Sequence, residues 1–355
     1  MKEPVLQRLT TIQEDHALEV VLLFTFLTAA MAPGMARVET IVALENMMPA
    51  SSDPVQGFNT LRAEGIGKDT IAVQLTAGQT EHGIQDITND RAEQYIAGLT
   101  DDIRDIYGIT AVHNPFQRPG LISRDRQTAV IVASTYMGDS GQAMERMFNE
   151  IREQTRYERP EGIKATLSGV PAVQQRLASM VQHDKNLTTA ISLLLVFLIT
   201  LALFQGSLTA SFMPLLVVAL SVIWLYGTMG YLGIPLSTLA GSVAALVIGI
   251  GIDYSIHILN TYRYHRHETS VKEALSEAVG ETGVALIATS VTTISAFMAF
   301  LSGAMPEMHR FGLIMSIGIG YALMFSFFLL PAVFVLEEQV LETIHDRLQW
   351  RHDFP

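Results

Sequence analysis

The stretch from Leu236 to Arg263, LSTLAGSVAALVIGIGIDYSIHILNTYR, is a nearly unbroken apolar run with one carboxylate, Asp253, far from either polar end. At about 1.5 Å per residue a helix of this length crosses a bilayer, which places Asp253 inside the membrane. A charged side chain there costs on the order of 2.5 to 3.5 kcal/mol by insertion scales, so it faces a bundle interior or a water cavity and marks an ion or proton path. Gly241, Ala245, Gly249, Asp253 and His257 recur every four residues and form one slowly drifting stripe, small residues below ionisable ones. Such a stripe calls for a neighbouring helix packed closely against it. The bland alternative is a buried Asp that only hydrogen-bonds helices together.

Apolar residues are bunched along the 355-residue chain, which is 49% hydrophobic and 16% charged. This is the pattern of a membrane protein. A net charge of -12 without any Lys/Arg run argues against a nucleic acid partner. Without cysteine, neither a disulfide framework nor a thiolate metal site or nucleophile is available.

Residues 1–16 carry Lys2, Arg8 and His16 and precede an apolar segment, 17–36, with Pro33 and Gly34 set to fray its outer end. A signal peptide is the rival reading, given the basic start and the small residues at Ala29, Ala30 and Ala36, but the late start and length favour a retained span. From Arg37 to Asn186 strand and helix periods alternate as in a soluble domain. Helices are expected over 53–64, 87–107 and 139–157, the last capped by Asp139 or Ser140. Strands are expected over 70–76, 109–113, 129–135 and 163–167. The order is β-α-β-β-α-β, a ferredoxin-like α+β domain inserted between membrane helices one and two. Pro171 then opens a helix with no break before the next apolar run, a mechanical link from the inserted domain to the membrane.

Five more spans follow, over 187–204, 208–226, 236–262, 284–301 and 311–336, six in all, with Gln205 to Ser207 closing a tight hairpin. Lys and Arg near the spans (Lys2, Arg8, Arg263, Arg266, Lys272, Arg347, Arg351) put the termini and the link between spans four and five in the cytoplasm, and the 37–186 domain outside. Ser270 to Ala278 reads as an amphipathic helix on the membrane surface, and 337–355 as an amphipathic cytoplasmic tail.

Span five holds Thr289, Ser290, Thr292, Thr293 and Ser295. Hydroxyls of this kind bond back to their own helix or glue helices together, yet beside an intramembrane Asp they also supply a wettable proton path. Tyr254 is placed to donate to a neighbouring carboxylate, or to anchor at the interface. His257 extends the path or is simply interfacial. Gly312, Ser316 and Gly320 in span six read as packing. His265 and His267 lack further ligands at metal spacing, no Gly-rich phosphate loop stands between a strand and a helix, and no nucleophile–base pair is visible. The chain is therefore read as a non-enzyme without metal or cofactor. A proton is the fitting energy source, since one charge crossing 100 mV is worth roughly 2.3 kcal/mol.

One span, a large outer domain and five more spans with Gly249-Ile-Gly-Ile-Asp253-Tyr254 in span four resembles one half of a transporter of the resistance-nodulation-division superfamily. The Asp-Tyr pair resembles the relay of its hydrophobe exporter and mycobacterial membrane protein large branch. Glu45-Asn-Met-Met-Pro49 and Leu167-Ser-Gly-Val-Pro171 resemble that branch's flanking pieces, and Leu236 to Leu301 resembles a sterol-sensing domain. The resemblance implies proton-driven export of a hydrophobic or amphiphilic molecule, with Asp253 and Tyr254 as relay and, more loosely, Thr289, Ser290, Thr292 and Thr293 in support. Relatives have twelve spans in two such halves. A homodimer restores the second half by twofold symmetry, as would a separate second subunit. A lipid-binding sensor, or an accessory half of a larger membrane complex, is the competing reading.

Overall fold

A computed structural model of the chain describes residues 10, 13–41, 48–49, 51–53, 55–57, 60, 69–80, 82–135 and 141–350, with the side chains at 119, 141–142 and 341–350 excepted. In chain order the elements are helix α1 (Ala17–Met35), strand β1 (Asp69–Thr76), α2 (Asp90–Asp105), β2 (Ile109–His113), β3 (Thr128–Thr135), α3 (Gly141–Gln154), β4 (Lys164–Ser168), α4 (Val170–Leu203), α5 (Leu208–Leu232), α6 (Val243–Arg266), α7 (Val271–Met298) and α8 (Pro306–Trp350). Six helices among the described residues are long and apolar enough to cross a membrane: α1 and α4 to α8. The chain forms two compact units, Thr40–Val181 and Met1–Glu39 with Gln182–Pro355. The expected 53–64 helix, the Asp139/Ser140 cap and the Glu45–Met47 part of the flanking motif lie largely outside the described residues.

In the Thr40–Val181 unit, alternation along DTIAVQLT and TAVIVAST turns Ile71, Val73 and Leu75 of β1 and Ala129, Ile131 and Ala133 of β3 to one buried face. The antiparallel sheet has the order β2-β3-β1-β4, with Val73 opposite both Ile131 and Leu167. Helices α2 and α3 cover that face with Ile96, Leu99 and Ile103, and with Met147, Phe148 and Ile151. Helix α2 starts at Asp90 rather than at Ile87. The Asp86 carboxylate takes both the N–H and the hydroxyl of Thr88 (2.8 and 2.6 Å), and Asn89 accepts from Arg91 N as N-cap. Those bonds hold the Asp86 carboxyl below the usual carboxylate range. Between α2 and the end of α3, the Tyr95 hydroxyl donates to Thr155 O at 2.7 Å, and burial pushes this phenol up to about 12.

The other unit is assembled around α5 and α8. Helix α1 does not fray at Pro33 but runs to Met35, because Gly34 meets Gly227 and Gly230 of α5 backbone to backbone. A Cβ at Gly230 would collide with Gly34 O, so only glycine fits there. Trp224 Nε1 donates to Thr28 Oγ1 (2.9 Å), and its ring packs with Phe24, Tyr321 and Phe325 at centroid distances of 5.0–6.0 Å, joining α1, α5 and α8. The hairpin between α4 and α5 turns through Gln205 and Gly206 at positive φ, with Gly206 N donating to Leu201 O.

Three boundaries differ from the sequence expectation. The fourth span begins with a 3-10 turn at Ala240–Ser242, since Leu236 N instead donates to Glu39 O. The 270–278 segment is no separate surface helix: it is the first part of α7, started by a Ser270/Glu273 capping box, and Ala274, Leu275 and Ala278 are buried in the bundle. The 337–350 part of the tail continues α8, held at its start by the Arg266–Glu338 pair (2.7 and 2.9 Å) and by Tyr262 donating to Glu338.

Pro331 lies inside α8 and has no N–H for the carbonyl of Phe327, four residues earlier. Buried Gln13, before α1, donates its side-chain amide to that carbonyl at 2.6 Å. Gln13→Leu should lower stability by about 1–2 kcal/mol by orphaning the carbonyl. In a Pro331→Ala background the loss should nearly vanish, because an alanine in place of the proline supplies the missing N–H. Thermal unfolding of the four proteins in detergent measures this, and an equal loss in both backgrounds refutes it.

Candidate functional site

A four-residue step along an α-helix turns about 400°, so a stripe of such steps drifts by about 40° each time. Along α6 that drift carries the stripe out of the bundle. Gly241 is buried, Ala245 half-buried, and Gly249, Asp253 and His257 are exposed. A Cβ added at Gly249 would meet nothing within 4 Å. No described helix of this chain covers the upper stripe. The tight contact of α6 runs instead along Ala244, Ile248, Gly251 and Ser255. A Cβ at Gly251 would lie 2.7 Å from Ala322 Cβ, and Ser255 Oγ is 2.9 Å from Ser326 Oγ, both partners on α8. These two positions were missed in the sequence. The 4-3-4 spacing of that second row was the available signal. In span six Gly312 packs against Phe297 and Phe300 and Ser316 lies against Ile294, whereas Gly320 faces open space and Gly318 meets Val247.

Among the described residues, the Asp253 carboxylate takes no hydrogen bond and no ion pair. Its neighbour Tyr254 points the other way. It is buried. Ser290 Oγ on α7 donates to Leu286 O (2.7 Å).

The hydroxyls of α7 commit their protons to their own helix. Thr289 donates to Leu286 O (3.0 Å), Thr292 and Thr293 both donate to Thr289 O (2.8 Å), and Ser295 donates to Val291 O (2.7 Å). Thr289 and Thr292 are exposed and Thr293 is half-buried. His257 stands one turn beyond Asp253 on the exposed face. His265 Nε2 lies 3.4 Å from Glu281 Oε2. No group of three or more metal-ligating side chains occurs among the described residues. Near the other end of α6, buried Glu307 of α8 accepts from Leu239 N at 3.2 Å and caps the opening turn, a contact the sequence did not announce.

The arrangement, among the described residues, is an unpaired carboxylate at mid-span on an open helix face, next in sequence to a buried phenol. Comparison with known proteins places it in context. The profile of the MMPL family matches residues 47–350. A membrane protein of Methanocaldococcus jannaschii is 26% identical over 98% of this chain and 98% of its own length. A membrane protein of Streptomyces coelicolor is 25% identical over 95% of this chain but only 41% of its own length. The hopanoid transporter HpnN of Rhodopseudomonas palustris is 28% identical over 51% of this chain and 21% of its own length.

The two glycines of α6 should respond oppositely to the same change. Gly251→Leu should cost about 1–3 kcal/mol or more by overpacking against Ala322, whereas Gly249→Leu should stay within about 0.5 kcal/mol in detergent-dispersed protomers. Melting temperatures of the two variants decide. Equal destabilisation would mean that the Gly249 face is covered within the protomer.

Proposed function

This chain belongs to the MMPL family, and we propose that it is a proton-driven exporter of hydrophobic or amphiphilic molecules, working as a homodimer with Asp253 and Tyr254 as its relay. The observation that carries the proposal is the position of Asp253, mid-span and, among the described residues, unpartnered on an exposed face of α6. An ionised carboxylate is costly to hold in hydrocarbon, so taking up a proton and meeting water are its two ways of being accommodated. Exposure of the Gly249–Asp253–His257 row fits a second copy of the chain, whose twofold-related row would meet it and supply the second half of the relay. Ala245 and Gly249 would then let the two α6 helices approach closely, with Thr289, Ser290, Thr292 and Thr293 lining the path.

The transporter activity of HpnN supports the export reading, and its substrate suggests lipid-like cargo for this chain. In several relatives the stretch shared with this chain is only 34–41% of their own length, which accords with a half-size unit completed by a second one. We read the Thr40–Val181 unit as a ferredoxin-like porter module outside the cell membrane, on the support of its element and sheet order. The termini then face the cytoplasm, in keeping with the Lys and Arg near the span ends.

Asp253→Asn should abolish movement of a fluorescent lipid-like probe in vesicles carrying an imposed pH gradient, with melting temperature and assembly unchanged. Normal transport by the variant sinks the relay. Retained lipid binding without gradient-dependent movement in either protein would favour a sensor instead. Separately, Ala245→Cys in this cysteine-free chain should cross-link to a second copy with a short thiol reagent, doubling the apparent mass. A folded variant that does not cross-link removes the α6 dimer interface.

A further inference from the structure

Lys185 of α4 holds its ammonium against the neighbouring helix. Its Nζ lies 5.0 Å from the centroid of the Tyr226 ring on α5, and the side chain is half-buried. A ring face attracts a cation but does not neutralise it. Among the described residues no carboxylate pairs with Lys185, and the adjacent Asp184 is exposed. Tyr226 is only 4% exposed, and its buried hydroxyl has no hydrogen-bond partner among the described residues. A buried donor without an acceptor is costly, so such groups are nearly always satisfied. The hydroxyls beside Lys185 are already spent: Thr188 donates to Asp184 O and Thr189 to Lys185 O, both at 2.7 Å. An ammonium and a phenol on the same contact are thus both left wanting an acceptor.

The depth of the pair in the membrane narrows what that acceptor is. Helix α4 ends at Leu203 and α5 starts at Leu208, on either side of the turn at Gln205 and Gly206. Lys185 lies 18 residues before the one end and Tyr226 18 residues after the other, so both stand about 27 Å along their helices from the turn. The hydrocarbon of a bilayer is about 30 Å thick. With the turn at one membrane surface, the pair is level with the lipid headgroups at the other. A lysine at that level ordinarily extends its amine outward to water, whereas this one lies over the ring.

We propose that Lys185 and Tyr226 bind the phosphodiester of an anionic phospholipid. The diester carries its charge on two unesterified oxygens, one to take the ammonium and one the phenol. Basic positions between membrane helices are suited to such headgroups. Free inorganic phosphate shares the chemistry but has no acyl chains to hold it at this depth. The inference stands on the contact between α4 and α5 and does not depend on proton coupling or on Asp253.

The test uses the full-length protein, stripped of lipid in detergent, with native mass spectrometry to follow the retention of added lipid. Wild-type protein should retain one phosphatidylglycerol in preference to an uncharged galactosyl diacylglycerol with the same acyl chains. Lys185→Met should weaken that binding about tenfold, the worth of one charge-assisted hydrogen bond, and Tyr226→Phe about threefold. Lys185→Arg, which keeps the charge, should retain the preference. Equal retention of the two lipids overturns the site, as does wild-type binding by either Lys185→Met or Tyr226→Phe. Inorganic phosphate in excess should not displace the lipid, and displacement would mark a site for the free ion and overturn the lipid assignment. Substitutions at two positions on two helices keep the test decisive if one variant fails to fold.

Discussion

An ionised side chain in hydrocarbon must find a partner, a proton or water, and the membrane unit obeys that constraint everywhere except at one residue. Several charges on its helices find partners: Arg266 meets Glu338, Lys272 lies 3.2 Å from Glu14, and His265 faces Glu281. Elsewhere the helices are held by glycine contacts, by the ring cluster around Trp224, and by hydroxyls bonded to their own backbone. Asp253 alone stands at mid-span without a counter-charge among the described residues. The rest of the bundle is built so that this one cost is not repeated.

The same economy applies to the backbone. A proline inside a membrane helix frees a carbonyl that lipid cannot satisfy. At Pro331 the answer comes from outside the helix, from Gln13, more than three hundred residues away in sequence. Near Pro33 the Ala30 carbonyl accepts from the Tyr231 hydroxyl at 2.6 Å. Near both prolines a side chain from outside the helix thus bonds a carbonyl of the helix.

Hydropathy made the six spans legible, because a run of apolar residues of bilayer length has few other uses. Alternation made the four strands legible to within a residue or two, since Ile71, Val73 and Leu75 leave no doubt about which face is buried. Helix ends were less legible. Asp86 and Asn89 delay α2, and the buried apolar face of 270–278 merges that segment into α7, and both effects depend on what the neighbouring elements offer. The site was half legible. Asp253 announces itself by charge, but which small residues face inward depends on the drift of a four-residue stripe, about 40° per step, and by composition alone Gly249 and Gly251 had equal claims.

The back-bonded hydroxyls of α7 have a directional consequence. Thr289, Thr292 and Thr293 have spent their protons on carbonyls of their own turn, so toward the membrane interior they offer lone pairs and nothing else. A water molecule resting on them must turn its hydrogens to the helix and its oxygen away. A file of such waters therefore has a built-in polarity, and an excess proton and a proton hole would not meet the same surface there.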